Sequence, residues 1–236
     1  MPNNLAIEII PAIMPKDWSD LESTVARVAP YVETVQLDIM DGKFVPAKTW
    51  PYQNEKGELK DVADEKYGFP FWDTINYEID LMVATPKESA LEWIRAGASR
   101  VILHIESSPD IKTIIEGIRD TYGYPKDVAV APEVVLAVGH ETPLEKIFLL
   151  VPLLDGVQIM GIKRIGFQGE SFAPETVERV AQLHKEFPEL SISIDGGVNE
   201  VSAPKLISAG ATRLVSGSYI LTAQNIGEAI VNLEGM

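Results

Sequence analysis

Three glycine-rich stretches in the second half of the chain have the residue types to bind a phosphate. Gly166-Phe167-Gln168-Gly169, Gly196-Gly197 and Ser216-Gly217-Ser218 each follow a strand-like apolar run. N–H groups left free at glycines and at a helix start hold anions well. Each stretch alone reads equally as a tight turn; their succession in this order makes a phosphate cradle the better reading. Three aspartates form the second set. Asp38 stands in Gln36-Leu37-Asp38-Ile39-Met40, Asp80 in Asp80-Leu81-Met82-Val83, and Asp195 in Ser193-Ile194-Asp195-Gly196-Gly197. A carboxylate inside an apolar strand is costly to bury without a partner. Turn formation is an equal reading for Asp41, which precedes Gly42, but a poor one for the set of three.

The elements that would position these residues follow from periodicity. Strand candidates are Ala6–Met14, Thr34–Met40, Glu78–Val83, Arg100–Ile105, Val128–Val138, Gly156–Met160, Ser191–Asp195 and Thr212–Ser216. Between and after them the spacing predicts helices over Trp18–Val28, Pro86–Ala96, Asp110–Tyr122, Thr142–Leu150, Pro174–Phe187, Val201–Ala209 and Tyr219–Leu233. A further helix plus an extended loop is expected within Trp50–Asn76. Asp17 or Ser19 would cap the first helix, and Thr85 the one that begins at Pro86.

Apolar strands that each lead into a helix imply parallel pairing buried on both faces. An open doubly wound sheet and a closed barrel both satisfy this. No GxGxxG follows the first strand, which disfavours a dinucleotide-binding sheet. Eight strand–helix units in 236 residues favour a (β/α)8 TIM barrel, one domain spanning residues 1–236. The chemistry of such barrels sits at the carboxyl ends of the strands. Alternation puts Gln36, Asp38 and Met40 on one face of strand two, and Glu78, Asp80 and Met82 in the same phase on strand three. Strand four offers His104 and Glu106.

Composition removes several classes. The chain has no cysteine, which excludes disulfides, thiolate metal sites and a cysteine nucleophile. A formal charge of -15 argues against nucleic acid, because no basic stripe could displace counterions from phosphates. It also repels a phosphorylated substrate at long range, so local N–H donors must supply the attraction, helped by Lys43, Lys163 or Arg164 if these loop residues turn inward. No apolar run approaches the roughly 20 residues of a membrane span. The N-terminal MPNNLAIEII lacks the basic start and cleavage site of a secretory signal, so a cytoplasmic location is the expectation.

Over nearly its whole length the chain resembles the ribulose-phosphate 3-epimerase family. The resemblance rests on Leu37-Asp38-Ile39-Met40-Asp41-Gly42-Lys43-Phe44-Val45-Pro46, Asp80-Leu81-Met82-Val83 and His104-Ile105-Glu106. It continues through Gly166-Phe167-Gln168-Gly169-Glu170-Ser171-Phe172, Asp195-Gly196-Gly197-Val198-Asn199 and Ser216-Gly217-Ser218. It implies a ribulose-phosphate-binding barrel that inverts the carbon beside a ketose-phosphate carbonyl. Asp38 and Asp195 match the family's two proton carriers, one on each face of the sugar, and Met40, Met82 and Met160 match methionines that line the site. Ordinary barrel packing is an equal reading for the methionines. The resemblance also implies a homo-oligomer acting on a phosphorylated sugar, away from membranes and nucleic acid.

The departures lie in the metal shell. The family's two metal-ligating histidines are Gln36 and Asp80 here, a strand-one serine is Ala12, and the asparagine after Val-Pro is Ala47. Asp38, Asp80 and Asp195, with Gln36 as a weaker fourth, would form an oxygen-only set that suits Mg²⁺ or Mn²⁺ better than Zn²⁺. Alternatively no metal binds, and mutual repulsion raises the pKa of at least one carboxylate. Three functions stay open at this point: a ketose-phosphate 3-epimerase or close isomerase, a silent sugar-phosphate-binding relative, and a phosphate-barrel decarboxylase or aldolase. The last fits least, because Asp38-Ile39-Met40-Asp41-Gly42-Lys43 does not reproduce that group's D-x-K-x-x-D string.

Overall fold

The computed structural model describes residues 7–53 and 57–234. Eight parallel strands close into a barrel in sequence order. They are β1 (Glu8–Ile13), β2 (Thr34–Met40), β3 (Asn76–Met82), β4 (Arg100–His104), β5 (Glu133–Val138), β6 (Gly156–Met160), β7 (Ser191–Asp195) and β8 (Arg213–Ser216). Closure is by β8 on β1, with Ile10 opposite Val215. The helices are α1 (Trp18–Val28), α2 (Gly57–Ala63), α3 (Pro86–Arg95), α4 (Ile111–Tyr122), α5 (Thr176–Glu186), α6 (Ala203–Ser208), α7 (Ser218–Leu221) and α8 (Ile226–Glu234). The barrel reading therefore holds, and the open sheet does not.

Local chemistry explains most boundaries. Asp17 caps α1, its carboxylate accepting from Asp20 N–H at 2.8 Å. Thr85 occupies the cap position of α3 without a side-chain bond, and its carbonyl takes the N–H of Ser89 instead. Two expectations fail at prolines. The long strand Val128–Val138 begins only at Glu133: Pro132 has no N–H to give a ladder, and Val130 is 91% exposed in the turn before it. The helix over Thr142–Leu150 is instead a pair of 3-10 turns, Leu144–Lys146 and Val151–Leu153, in which Ile147 bonds back to Leu144 and Leu150 to Ile147. Pro152, inside the second turn, has no N–H to give an α-helical ladder continuing from the first. The helix expected over Tyr219–Leu233 breaks into α7 and α8. Ala6, the expected first residue of β1, lies outside the described residues, as does most of MPNNLAIEII.

The large core lies between barrel and helices, where Leu37, Ile39, Ile79, Leu81 and Leu103 face a helical layer containing Leu21, Val25, Leu59 and Trp93. The barrel interior is different. Its apolar residues fall into separate small groups: Ile10, Ala12 and Val215; Ile102, Val135, Ala137 and Met160; Met40, Val45 and Met82. Buried polar side chains, among them Gln36, Asp38, Asp80, His104, Gln158 and Asp195, take up the rest.

Candidate active site

Asp38 and Asp80 are register partners on adjacent strands, and Asp195 reaches the same point from β7. One carboxylate oxygen from each lies within 4.8 Å of the others. Amides, not cations, separate them. Gln36 Nε2 donates to Asp38 Oδ1 at 2.8 Å and to Asp195 Oδ2 at 3.0 Å. Gln158 Nε2 donates to Asp80 Oδ2 at 3.2 Å and to Asp195 Oδ2 at 3.4 Å. His104 Nε2 lies 2.8 Å from Asp80 Oδ1 and ends the chain. A continuous buried network thus runs His104–Asp80–Gln158–Asp195–Gln36–Asp38 across the barrel. None of its members is more than 8% exposed.

Electrostatics follow from that burial. Desolvation, reinforced by Asp195 and Asp80, holds Asp38 well above the ordinary carboxylate range. Desolvation and Asp80 push Asp195 up to about 7. Burial favours the neutral ring of His104, but the Asp80 carboxylate outweighs it, and the imidazole titrates above its usual value. Carboxylates whose ionised forms burial disfavours in this way keep a proton to higher pH than an exposed aspartate does.

Above the network the glycine-rich stretches converge. Asp38, Asp195, Met82 and Met160 share one cavity with Gly166, Phe167, Gln168, Gly169, Gly196, Gly197, Gly217 and Ser218. This cavity measures about 50 Å³ and is roofed by the segment after β6: Gln168 Nε2 lies 3.4 Å from the carbonyl of Ala12. A side-chain carbon at Gly217 would stand 2.9 Å from the Gln168 amide, so glycine there lets the roof close. A second cavity of about 290 Å³ adjoins it, lined by Gly196, Gly197, Asn199, Gly217, Ser218 and Thr222. Gly197 has φ +70 and its missing Cβ would lie 2.7 Å from the Phe172 backbone, which restricts the position to glycine. Ser216 Oγ donates to the Val198 carbonyl at 2.9 Å and ties the two glycine turns together.

The expected residues separate into two depths. Asp38, Asp195, Met82, Met160 and all eight cradle residues line the roofed cavity. Asp80 and Gln36, both fully buried, lie in the network, while Met40 packs against Val45 and Met82. Gln36 turns its nitrogen, not its oxygen, to the carboxylates. Lys43, Lys163 and Arg164 do not line either cavity; Lys163 approaches Glu175 at 3.8 Å and Arg164 pairs with Glu170 at 2.5 Å. Asp41 proves structural: Oδ1 accepts from the N–H of Lys43 and Phe44, and Oδ2 from Ala84. Those donors outweigh its partial burial and lower its pKa. Glu106 likewise caps a loop, accepting from Gly139 N–H at 2.9 Å and Thr142 Oγ1 at 2.5 Å.

Sequence reading missed Gln158 and Thr49. The first is the one polar side chain inside Gly156-Val157-Gln158-Ile159-Met160. Its signal was its phase, two residues before Met160. Thr49 Oγ1 donates to the Asp38 carbonyl at 2.8 Å and accepts from Met40 N–H at 2.9 Å, fixing the end of β2.

Comparison with known proteins gives a consistent picture. The model of the ribulose-phosphate 3 epimerase family matches residues 8–221. A ribulose-phosphate 3-epimerase (cytoplasmic isoform) of Oryza sativa subsp. japonica is 32% identical over 232 residues, covering 95% of this chain and 92% of the relative. A ribulose-phosphate 3-epimerase of Eremothecium gossypii is 28% identical over 226 residues, with 94% and 89% coverage. Among solved structures, 3-keto-L-gulonate-6-phosphate decarboxylase from Vibrio cholerae superposes with a TM-score of 0.67 at 12% identity, covering 98% of this chain and 97% of that one. A 3-hexulose-6-phosphate synthase does so with a TM-score of 0.65 at 19% identity, covering 97% and 99%. At those identities the structural likeness is one of fold. Among the described residues, no helix is long and apolar enough to cross a membrane.

Proposed function

Since this chain belongs to the ribulose-phosphate 3-epimerase family, we propose that it is a ketose-phosphate 3-epimerase acting in the cytoplasm on ribulose 5-phosphate or a sugar phosphate of the same shape, with Asp38 and Asp195 as its two proton carriers. The observation that carries this reading is a pair of acid/base-capable carboxylates on β2 and β7, both on the wall of the cavity that the glycine cradle completes. One aspartate removes the proton from the carbon beside the carbonyl. The other delivers one from the opposite face, and the two exchange roles for the reverse reaction. Gln36 holds the inner oxygen of each through one shared amide nitrogen, leaving Asp38 Oδ2 and Asp195 Oδ1 outside these bonds. The phosphate is read by backbone N–H groups at Gly197, Gly217 and Ser218, since the neighbouring cations are spent on Glu170 and Glu175. The roof formed by Gln168 has to lift for a sugar phosphate to enter a space of about 50 Å³, and its return excludes water.

The donor set also fits a hard divalent cation. Three carboxylates present oxygens within 4.8 Å of one another, and the amide oxygen of Gln36 is buried without a partner. Asp38, Asp80 and Asp195, with Gln36, would hold Mg²⁺ or Mn²⁺. When bound, such an ion supplies positive charge against the negative charge that develops on the sugar's carbonyl oxygen.

Ribulose 5-phosphate incubated with the protein in D₂O, with and without Mn²⁺ or Mg²⁺, tests the proposal. Deuterium is expected at C3, and inorganic phosphate is expected to protect the protein at the Gly197–Ser218 end. Sugar phosphate that binds without exchange would replace this reading by that of a silent binding relative, which the loss of both family histidines, at Gln36 and Asp80, would then explain.

A further inference from the structure

Gln158 has no counterpart in the reading above, yet it is fully buried and its amide points at two carboxylates. Its Oε1 is enclosed and without a hydrogen-bond partner, and so is that of Gln36. A buried carbonyl oxygen left unpaired is costly, and here the same defect occurs twice, on two amides that touch the same aspartate. On their far sides, then, neither amide is held by anything. Turning either one about its last side-chain torsion breaks no bond there and brings an oxygen where the nitrogen was. In the present arrangement that would set five oxygens facing one another, a set that a bound cation would stabilise.

We infer that Gln158 is an oxygen ligand for a hard divalent cation, completing a five-oxygen set with Gln36, Asp38, Asp80 and Asp195. Without the ion both amides turn nitrogen inward and hold the carboxylates apart. With it, both turn oxygen inward. The inference rests on the reading of the aspartate cluster as a cation site, and it assigns a role to a residue that the two replaced histidine positions do not include. It also explains how the site remains closed when empty. The four amide contacts, at 2.8, 3.0, 3.2 and 3.4 Å, satisfy carboxylates that would otherwise repel one another. His104, at the other end, stays on Asp80 Oδ1 in both states and keeps that carboxylate oriented.

A pair of substitutions separates an oxygen ligand from a mere N–H donor. Gln158→Leu removes both functions and places an aliphatic residue between Val157 and Ile159 on a buried strand. Gln158→Glu keeps the oxygens and removes the N–H. Metal-stripped full-length protein is titrated with Mn²⁺, the free ion being counted by electron paramagnetic resonance and the bound state by the rise in melting temperature. Gln158→Leu is expected to weaken Mn²⁺ binding by roughly tenfold or more, and Gln158→Glu to match or exceed the parent. Equal affinity in parent and Gln158→Leu overturns the inference, as does a Gln158→Glu protein that binds as weakly as the leucine variant. Should the glutamate variant not fold, equal Mn²⁺ affinity in parent and leucine variant still overturns the inference. A parent that binds no Mn²⁺ but still exchanges deuterium refutes this inference and leaves the epimerase standing; one that binds Mn²⁺ through Gln158 without exchange does the opposite.

Discussion

Glu78 and Asp80 sit two residues apart on β3, on the same face and both almost completely buried, yet they are held in opposite ways. Glu78 lies at the amino-terminal end of the barrel between two guanidinium groups, Arg213 at 2.5 Å and Arg100 at 3.4 Å. Arg213 continues to Glu8, and Arg100 to Glu133. Asp80, one layer higher, meets an imidazole, an amide and two further carboxylates. Burial raises the pKa of Glu78, but Arg213 and Arg100 oppose that rise. At Asp38 and Asp195 the rise is opposed by the Gln36 amide and, at Asp195, by His104. Glu78 is neutralised where it stands by its two guanidinium partners. The upper cluster keeps an excess of negative charge that only protons, a cation or a substrate can relieve. That difference separates a carboxylate paired for the fold from carboxylates whose surroundings suit the chemistry proposed above.

The largest effect expected from breaking this contrast is on the chemistry. Asp38→Asn and Asp195→Asn each remove a proton carrier while keeping the shape. Deuterium exchange at C3 should fall by about 10²- to 10⁴-fold, with phosphate affinity almost unchanged. Both variants should also melt higher than the parent at neutral pH, because each loses a carboxylate whose ionised form burial disfavours. Full exchange in either variant would end the two-aspartate mechanism.

The lower cluster should respond in the other sense. Arg213→Met leaves Glu78 buried with only the longer contact to Arg100. Removing one partner of a buried pair costs about 3–5 kcal/mol, or on the order of 10 °C in melting temperature for a chain of this size. Exchange by the folded protein should be unaffected. A variant as stable as its parent would show that the lower ion pairs contribute nothing net.

How much of this was legible follows from which contacts are local. Strands and helices with clean apolar periods were readable, and so were turns that glycine dictates, such as Gly196-Gly197 with φ of +98 and +70. Where prolines deny N–H groups, at Pro132 and Pro152, apolar composition suggested more regular structure than the backbone can form. The aspartates announced themselves by standing in apolar strands. Gln36 and His104 were readable by phase and place, but the third partner was not. Gln158 meets Asp195 across 37 residues and Asp80 across 78, contacts that exist only once the barrel closes. A single glutamine on a strand carries no signal of that. Glu78 and Arg213 are 135 residues apart and were silent for the same reason.

The smallest effect concerns Asp80 itself and is read from a slope. In metal-free protein, Asp195 titrates at about 7 in the folded state against 3.8 when unfolded. The folded state therefore binds more protons between those values, and stability falls as pH rises from about 4 to about 7. Asp38, also raised, adds to the fall over the range above 3.8. His104 acts in the same direction: its folded pKa is raised, so its contribution is complete below about 6.5 and is lost as pH climbs through the folded value. Asp80 is a cause common to all three shifts. Asp80→Asn removes that charge, so all three pKa values should move back toward their unfolded ones. The decline in melting temperature between pH 4 and 8, measured in the presence of a chelator, should become shallower by a few degrees. Melting temperature at any single pH mixes this gain with the lost ion pair to His104, which is why the slope, not the value, is diagnostic. An unchanged slope in Asp80→Asn would mean that Asp80 does not drive the shifts at Asp38, Asp195 and His104.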